Sequence, residues 1–285
     1  MEIIIGKTAG FCFGVENAVN KTKEQLNSKK NIYCLGELVH NKQVTEELEN
    51  EGIIFIDDIS NAKRDVIIRA HGEKKETYEK ANKVGLNVID LTCPKVTKIH
   101  KIAEEYANKG YYILLIGKSN HPEVIGTISY CGENSDIIED QNQIDSKLEK
   151  LYNSEIKKLL IISQTTFSLE KFNTIISLIK NKLKDYIEIE KKTTICDATR
   201  LRQEETKKLS LEVDAMIIIG GKHSSNTNKL YEIAKANCSN SILIESSIEL
   251  DKEEMKKHKK IGIMAGASTP KKSIESVVEI LNELC

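Results

Sequence analysis

Short apolar runs alternate with longer amphipathic stretches along this chain. Apolar runs of about four to six residues predict strands, and apolar residues recurring every three or four positions predict helices. The predicted strands are residues 2–6, 31–35, 66–69, 87–91, 111–116, 159–163, 193–196, 215–219, 241–244 and 261–264. The predicted helices include residues 73–83, 95–108, 168–183, 200–211, 225–236 and 270–283. Such alternation indicates an α/β protein with small, mainly parallel sheets.

Chemically distinctive residues recur at equal distances along this pattern. Three cysteines each stand at the end of a predicted strand and before a helix: Cys12, Cys93 and Cys196. A polar turn residue comes 28 positions after each of them: His40, His121 and Ser224. A second polar turn residue comes 59 positions after the first cysteine and 72 after the others: His71, Thr165 and Ser268. The repeat predicts three similar α/β units.

The repeat also predicts how the chain is divided. We expect lobe 1 at residues 13–94, lobe 2 at 95–195 and lobe 3 at 196–285, with the N-terminal strand in residues 1–12 joining lobe 3. Ligands of open parallel sheets bind beyond the carboxyl ends of the strands. Three lobes with those ends turned inward would form a pseudo-threefold arrangement around one central site.

Charge and hydropathy exclude several classes of function. The 285 residues carry 42 basic and 43 acidic side chains, a net charge of −1, which argues against broad nucleic-acid binding. The start, MEIIIGKTAG, lacks the positive charge and long apolar run of a secretory signal. The apolar run at 111–117 is too short to span a membrane. We expect a cytoplasmic protein with neither a nucleic-acid nor a membrane partner.

The seven cysteines favour a metal site over disulfides. Their odd number and the lack of any CxxC pair argue against a disulfide framework, a zinc ribbon and a ferredoxin-type site. Cys34, Cys131, Cys238 and Cys285 are expected to be small buried hydrophobes. The three repeated cysteines suit a four-iron cluster with one iron left without a protein ligand. Zinc on three cysteines and a water is the alternative metal.

Polar turns and the prolines indicate an anion site. Three histidines lie in the turns VHN, AHG and NHPE, and hydroxyls or amides crowd HSSNTN (223–228) and ASTP (267–270). Pro94, Pro122 and Pro270 follow candidate site residues and suit the first turn of a helix. Helix N-termini with hydroxyl and amide side chains bind phosphate groups. For any single Ser or Asn, an ordinary helix cap is the alternative.

Glu123 is the candidate acid of this site. It follows His121 and Pro122 at a predicted helix start. The alternative role there is a carboxylate that only stabilises the helix through its dipole. Facing the site, it would deliver protons with Thr165 and His121. The remaining imidazoles, His100 in a helix and His258 in the charged run KKHKK, are predicted to be non-functional.

Nine motifs follow one another over nearly the whole chain: GFCFGVENAV (10–19), LGELVHN (35–41), RAHG (69–72), DLTCPKVTKIH (90–100), HPEVIGT (121–127), SQTT (163–166), TICDATRLRQEE (194–205), GGKHSSNTNKLYEI (220–233) and AGASTP (265–270). In this order they resemble the LytB family of 4-hydroxy-3-methylbut-2-enyl diphosphate reductases. Each motif alone is weak, but their order and completeness make the resemblance specific. It departs at Asn120 and Glu73, where glycine and an apolar residue are expected.

The resemblance implies a role for each matching residue. One [4Fe-4S] cluster per chain would be held by Cys12, Cys93 and Cys196. The diphosphate would be bound by the residues His40, His71, Ser224, Asn226 and Ser268, with Ser225 also lining the site. His121 and Thr165 would lie near the substrate hydroxyl, and Glu123 would deliver protons.

The implied reaction is the last step of the methylerythritol phosphate route to isoprenoids. The allylic hydroxyl would leave as water after addition of two electrons and protons, giving isopentenyl and dimethylallyl diphosphate. Reduced ferredoxin or flavodoxin would be the electron donor, and the protein would be a monomer. Two alternatives stay open: an iron–sulfur enzyme of the quinolinate synthase type, and a non-enzymatic iron–sulfur sensor.

Overall fold

The structure is a computed structural model that describes residues 1–29, 31–183 and 187–284. The strands in this part of the chain are β1 (Glu2–Ile5), β2 (Ile32–Leu35), β3 (Ile53–Ile56), β4 (Asp65–Ile68), β5 (Asn87–Asp90), β6 (Tyr112–Ile116), β7 (Ser135–Ile138), β8 (Lys158–Ser163), β9 (Glu188–Lys191), β10 (Ala215–Ile219), β11 (Ser241–Ile244) and β12 (Lys260–Ala265). The α-helices are α1 (Phe13–Ser28), α2 (Lys42–Asn50), α3 (Lys75–Lys83), α4 (Pro94–Asn108), α5 (Pro122–Ile128), α6 (Ile144–Tyr152), α7 (Leu169–Lys182), α8 (Asp197–Ser210), α9 (Ser225–Asn237), α10 (Lys252–Met255) and α11 (Lys271–Asn282).

The strands form three small parallel sheets with the same internal order. The first sheet runs β3-β2-β4-β5 and the second runs β7-β6-β8-β9. The third runs β11-β10-β12-β1, so the N-terminal strand takes the place that β5 and β9 take in the other two. The predicted α/β class with three similar parallel sheets is therefore confirmed.

These sheets belong to two compact units. Unit 1 comprises Met1–Glu16, Val39–Asn50 and Asp197–Cys285, and it contains the third sheet. Unit 2 comprises Asn17–Leu38 and Glu51–Cys196, and it contains the first and second sheets. The lobe boundaries at residues 13, 95 and 196 stay a prediction.

The inner strands carry the hydrophobic cores. Every residue of β6 and β10 is buried, and so is every residue of β8 and β12 after the first. Such continuous apolar strands are typical of parallel sheets with helices on both faces. The outer strands β1, β5 and β9 have exposed ends, which is why their sequences are more polar.

Each sheet ends its first inner strand in the same way. The amide of Gly36, directly after β2, donates to the carbonyl of Ile56 at 2.8 Å. Gly117 after β6 and Gly220 after β10 make the equivalent bonds to Ile138 and Ile244, at 3.0 and 2.9 Å. Three equivalent strand ends therefore lead into the turns that carry the candidate site residues.

Three strand predictions were wrong, all at sheet edges. Strands β3 and β7 were not predicted: each has four residues, and β7 (SDII) has only two apolar ones. The strand predicted at 193–196 lies instead at β9, whose sequence EIEK is mostly charged. Residues 193–196 were predicted as a strand because they contain the apolar Ile195. Ile195 is apolar because it is buried against the core of the second sheet.

We expect Gly220→Ala to destabilise the fold through this shared strand end. Gly220 has φ +147, and a Cβ there would lie 2.7 Å from Oγ1 of Thr269 and 2.8 Å from Oγ1 of Thr227. Backbone strain and overpacking together should lower the free energy of unfolding by about 2–5 kcal/mol, measured by urea denaturation.

The matched control is Gly85→Ala. Gly85 also has positive φ, +71, but nothing lies within 4 Å of the added Cβ. Only the backbone cost of about 1–2 kcal/mol should appear there. Equal losses in the two variants would show that the space behind Gly220 is not limiting.

Candidate functional site

The three repeated cysteines are held by the same backbone hydrogen bond. The amides of Cys12, Cys93 and Cys196 donate to the carbonyls of Ala267, Ala70 and Thr165, each at 3.0 Å. Every acceptor stands two residues beyond the end of an inner strand: β12, β4 and β8. Cys12 makes its bond within unit 1, and the other two cysteines make theirs within unit 2. The three residues thus occupy equivalent places in their sheets.

The cysteines fall into two chemical groups. Cys12, Cys93 and Cys196 are thiols that are partly exposed. Cys34 and Cys131 are buried; their Sγ atoms donate to the carbonyls of Gly36 and Thr127, at 3.3 and 3.4 Å.

Burial raises the pKa of both buried thiols to about 12, so they stay protonated. Cys238 is buried as well, and Cys285 lies outside the described residues. Metal ligation needs accessible thiolates. The chemistry of the donor set therefore fits a cluster on the three partly exposed cysteines rather than on the buried ones.

Glu123 and Thr165 form a buried acid–hydroxyl pair in unit 2. Glu123 lies in the first turn of α5 and is 2% exposed. The hydroxyl of Thr165 donates to Oε2 and its amide donates to Oε1, both at 2.6 Å. Burial raises the pKa of Glu123 to about 7, although both hydrogen bonds lower it. This carboxyl can therefore hold or release a proton near neutral pH.

His121 and His71 lie beside this pair. His121 caps α5: its Nδ1 accepts from the amide of Glu123 at 3.1 Å, and Pro122 occupies the first helical position. A neutral His121 that accepts at Nδ1 carries its proton on Nε2. The ring of His71 meets that of His121 edge-on, with centroids 5.5 Å apart. Unit 2 thus brings together His71, His121, Glu123 and Thr165, together with the backbone of Cys196.

In unit 1, the N-terminus of α9 has the character of an anion site. Ser224 caps this helix of 13 residues, and its Oγ accepts from the amide of Thr227 at 3.3 Å. Ser225 is the first helical residue. Within the described part of the chain, both polar atoms of the Asn226 side chain are buried and have no hydrogen-bond partner. A buried amide of this kind can donate hydrogen bonds to, or accept them from, a water, an ion or a ligand.

His40 and Ser268 lie together in the same unit. The hydroxyl of Ser268 donates to the carbonyl of His40 at 2.9 Å. A Cβ at Gly221, three residues before Ser224, would lie 2.7 Å from that carbonyl. Ser268 also directly follows Ala267, the acceptor for Cys12. Unit 1 therefore gathers its predicted site residues around three neighbouring turns.

Two residues of α8 support Cys12 and were given no role from the sequence. Glu205 accepts from the amides of Lys7 and Thr8 at 2.7 and 2.8 Å, and Arg202 donates to the carbonyl of Gly10 at 2.6 Å. Burial raises the pKa of Glu205, but hydrogen bonds from Thr8 and Lys7 outweigh it and bring the pKa below its usual range. Both residues stand in the motif TRLRQEE, three positions apart, which is the spacing of one helix face.

The fold and these sites define a class of α/β proteins with three equivalent parallel sheets, each presenting a cysteine. The class also has a buried acid–hydroxyl pair, whose carboxyl has a pKa of about 7 here. The model of the LytB protein family matches residues 3–282, and the chain belongs to this family. It is 43% identical over 291 residues to a protein of Caldanaerobacter subterraneus subsp. tengcongensis, covering 100% of this chain and 98% of that one. It is 41% identical over 290 residues to one of Aquifex aeolicus, covering 100% and 97%. Both relatives are named 4-hydroxy-3-methylbut-2-enyl diphosphate reductase.

Solved structures agree with this assignment. The reductase from Plasmodium falciparum superposes with a TM-score of 0.91 at 34% identity, covering 98% of this chain and 87% of that one. A second structure, described as the terminal enzyme of the non-mevalonate pathway, gives 0.72 at 40% identity and covers 99% and 100%. The family resemblance read from the nine motifs is confirmed. Across the described residues, no helix has both the length and the apolar character to cross a membrane.

The raised pKa of Glu123 predicts a pH-dependent stability. The carboxyl is protonated more readily in the folded chain, at about 7 against an ordinary 4.5. Its favourable contribution is therefore complete below about pH 4.5 and is lost as the pH rises through 7. Glu123→Gln cannot ionise and escapes this loss. The difference in free energy of unfolding between this variant and the wild type should therefore shift by about 2–3 kcal/mol in favour of the variant from pH 5 to pH 8. Urea denaturation at the two pH values measures it.

Thr166→Val serves as the control for this measurement. Thr166 neighbours the acid–hydroxyl pair, but its hydroxyl accepts from Gln164 at 2.9 Å and does not bind Glu123. Its stability difference from the wild type should be the same at both pH values. A pH-independent difference for Glu123→Gln as well would show that Glu123 ionises normally in the folded protein.

Proposed function

We propose that this chain reduces 4-hydroxy-3-methylbut-2-enyl diphosphate to isopentenyl and dimethylallyl diphosphate, the last step of the methylerythritol phosphate route. The observation that carries the proposal is the equivalent backbone bond of three cysteines in three equivalent sheets. Membership of the LytB family supplies the substrate class, because the relatives are named for this reaction.

Cys12, Cys93 and Cys196 are proposed to hold one [4Fe-4S] cluster per chain. Their partial exposure, and the contrast with the buried thiols of Cys34 and Cys131, support this choice. When bound, such a cluster supplies electrons and an iron without a protein ligand, which acts as a Lewis acid. Arg202 and Glu205 bind the backbone of the loop before Cys12, which supports a defined backbone position for this ligand.

The diphosphate is proposed to be bound by these polar side chains: His40, His71, Ser224, Ser225, Asn226 and Ser268. The N-terminus of α9 contributes amide donors and the positive end of its dipole. The buried amide of Asn226, which lacks a partner in the described residues, would gain one from a phosphate oxygen. Protonated histidines would add charge-assisted hydrogen bonds.

Proton delivery is proposed for Glu123, with Thr165 and His121. A carboxyl whose pKa is about 7 is protonated in about half of the molecules at neutral pH. A relay through Thr165 is supported by its hydroxyl, which donates to the Glu123 carboxyl at 2.6 Å. His121 orients the same helix turn through its bond to the amide of Glu123.

The electron donor is proposed to be reduced ferredoxin or flavodoxin, and the protein a monomer. The sequence carries no fingerprint for a flavin or nicotinamide that would supply electrons internally. The six described cysteines are thiols, which supports a reducing, cytoplasmic location.

The direct test is turnover by protein purified without oxygen. The protein, its cluster assayed by iron content and absorption, is given the hydroxylated diphosphate and a strong chemical reductant. Formation of isopentenyl and dimethylallyl diphosphate supports the proposal. An enzyme of the quinolinate synthase type would catalyse no net reduction, and an intact cluster without any turnover would point to a sensor.

We expect cluster loading to depend on one group of cysteines only. Cys93→Ala should lower the iron content from roughly four atoms per chain to near zero and abolish the visible absorption. Cys131→Ala is the matched control, because that thiol is buried and bonds to a backbone carbonyl. Iron retained by Cys93→Ala, or lost equally from both variants, would contradict the ligand set.

We also expect Glu123→Gln to lose turnover but keep its cluster. Loss of a general acid typically costs about 10²–10⁴-fold in rate, so kcat should fall by that range while iron content stays at the wild-type level. Glu105→Gln, at an exposed carboxylate of α4 paired with Lys109, is the control. Near-normal kcat in Glu123→Gln would remove Glu123 from the mechanism.

A further inference from the structure

An ion pair encloses the turn that carries His71. Arg69 directly follows β4, and its Nη2 lies 2.6 Å from Oε1 of Glu73. The side chains are only 18% and 11% exposed, so solvent screens the pair weakly. Between them the chain makes a tight turn, with the amide of Gly72 donating to the carbonyl of Arg69 at 3.0 Å. The ion pair therefore ties together the two ends of this turn.

The arginine end of the pair is anchored in the first sheet. Inner strands β2 and β4 lie side by side there, and the chain leaves them in opposite directions, to β3 and to β5. Arg69 occupies the crevice at this point: Gly36, after β2, has φ +68, and a Cβ on it would overlap Nη1 of the guanidinium. The guanidinium is thus confined by backbone on one side and by Glu73 on the other.

The glutamate end is anchored on α5, the helix that begins with His121 and Glu123. A Cβ at Gly126 of α5 would lie 3.3 Å from the carbonyl of Glu73, so the two backbones are in close contact. Two residues on, the amide of Lys75 donates to Oγ of Ser129 at 3.0 Å. The segment after His71 therefore lies against the C-terminal half of α5.

The turn itself has little room to move inward. Gly72 has φ +76, and a Cβ there would lie 2.8 Å from Cε1 of His100. The ring of His100 is in turn stacked on Tyr130, with centroids 4.2 Å apart. Packing against His100 thus limits movement of the turn toward α4, and the ion pair limits how far the two ends of the turn can separate.

We propose that Arg69 and Glu73 are positioning residues that hold His71 at a fixed place relative to His121 and Glu123. The inference rests on the proposed function, in which His71 binds the diphosphate. Because His71 would bind substrate and transition state alike, loosening it should raise KM and leave kcat nearly unchanged.

The test compares Glu73→Gln, Arg69→Gln and the double variant as anaerobically purified, cluster-loaded protein. KM and kcat are measured with the hydroxylated diphosphate, and the Kd of inorganic pyrophosphate is measured by calorimetry. We expect KM and the pyrophosphate Kd to rise roughly tenfold in each single variant, with kcat within about twofold and iron content unchanged. The double variant should be no worse than either single one, because the two residues act together.

Glu105→Gln is the matched control, since Lys109 and Glu105 also form an ion pair four residues apart but are 55% and 58% exposed. Its KM and pyrophosphate Kd should equal those of the wild type. If a single variant with an unpaired charge fails to fold, the neutral double variant gives the decision. Wild-type KM and pyrophosphate Kd in the double variant, or a parallel fall of kcat in all variants, would overturn the positioning role. Failure of the wild type to reduce the substrate would instead overturn the proposed function.

Discussion

The candidate site depends on a main-chain hydrogen bond that is made three times. In each sheet, the cysteine amide donates to a carbonyl two residues beyond an inner strand, at 3.0 Å in all three cases. Because donor and acceptor are backbone groups, the bond fixes where the side chain starts but says nothing about its identity. The identity comes from the sequence, which has a cysteine at all three places. Geometry repeated by the fold and chemistry chosen by the sequence together define the proposed cluster ligands.

A second constraint is the balance of forces on Glu123. Burial alone would keep this carboxyl neutral, while two hydrogen bonds from Thr165 favour its charged form. The opposing effects leave the pKa near 7, where a general acid works well at physiological pH. Glu123 lies in the first turn of α5, the helix that follows β6, and Thr165 lies in the turn after β8. The acid is therefore set by the same strand ends that present Cys196, whose amide bonds to Thr165.

The sequence was most informative where apolar pattern and burial agree. Inner strands such as β6 and β10 are buried throughout and were predicted within a residue of their ends. The edge strands β3, β7 and β9 were missed, and β9 with its sequence EIEK shows that a half-exposed strand needs little apolar character. Residue types and spacing placed Glu123 and Thr165 in one proton-delivery group, but not the two hydrogen bonds between them, since 42 positions separate them. The hydrogen bonds of Arg202 and Glu205 to the loop before Cys12 were not predicted either, because their partners lie nearly two hundred positions away in the sequence.

The ion pair of Arg69 and Glu73 follows from how the three sheets fill the same crevice. In each sheet a glycine follows the first inner strand (β2, β6 or β10). It packs against a side chain that follows the second inner strand (β4, β8 or β12). Gln164 fills the crevice at Gly117 and Thr269 fills it at Gly220; both are neutral, and both bond to nearby backbone groups. Only the first sheet places a charged group, Arg69, in this largely buried position. A buried charge without a partner is costly, so a carboxylate within reach of Arg69 is favourable at this crevice. Glu73 meets that need, and its place just after the His71 turn converts a packing requirement into a restraint on a proposed substrate ligand.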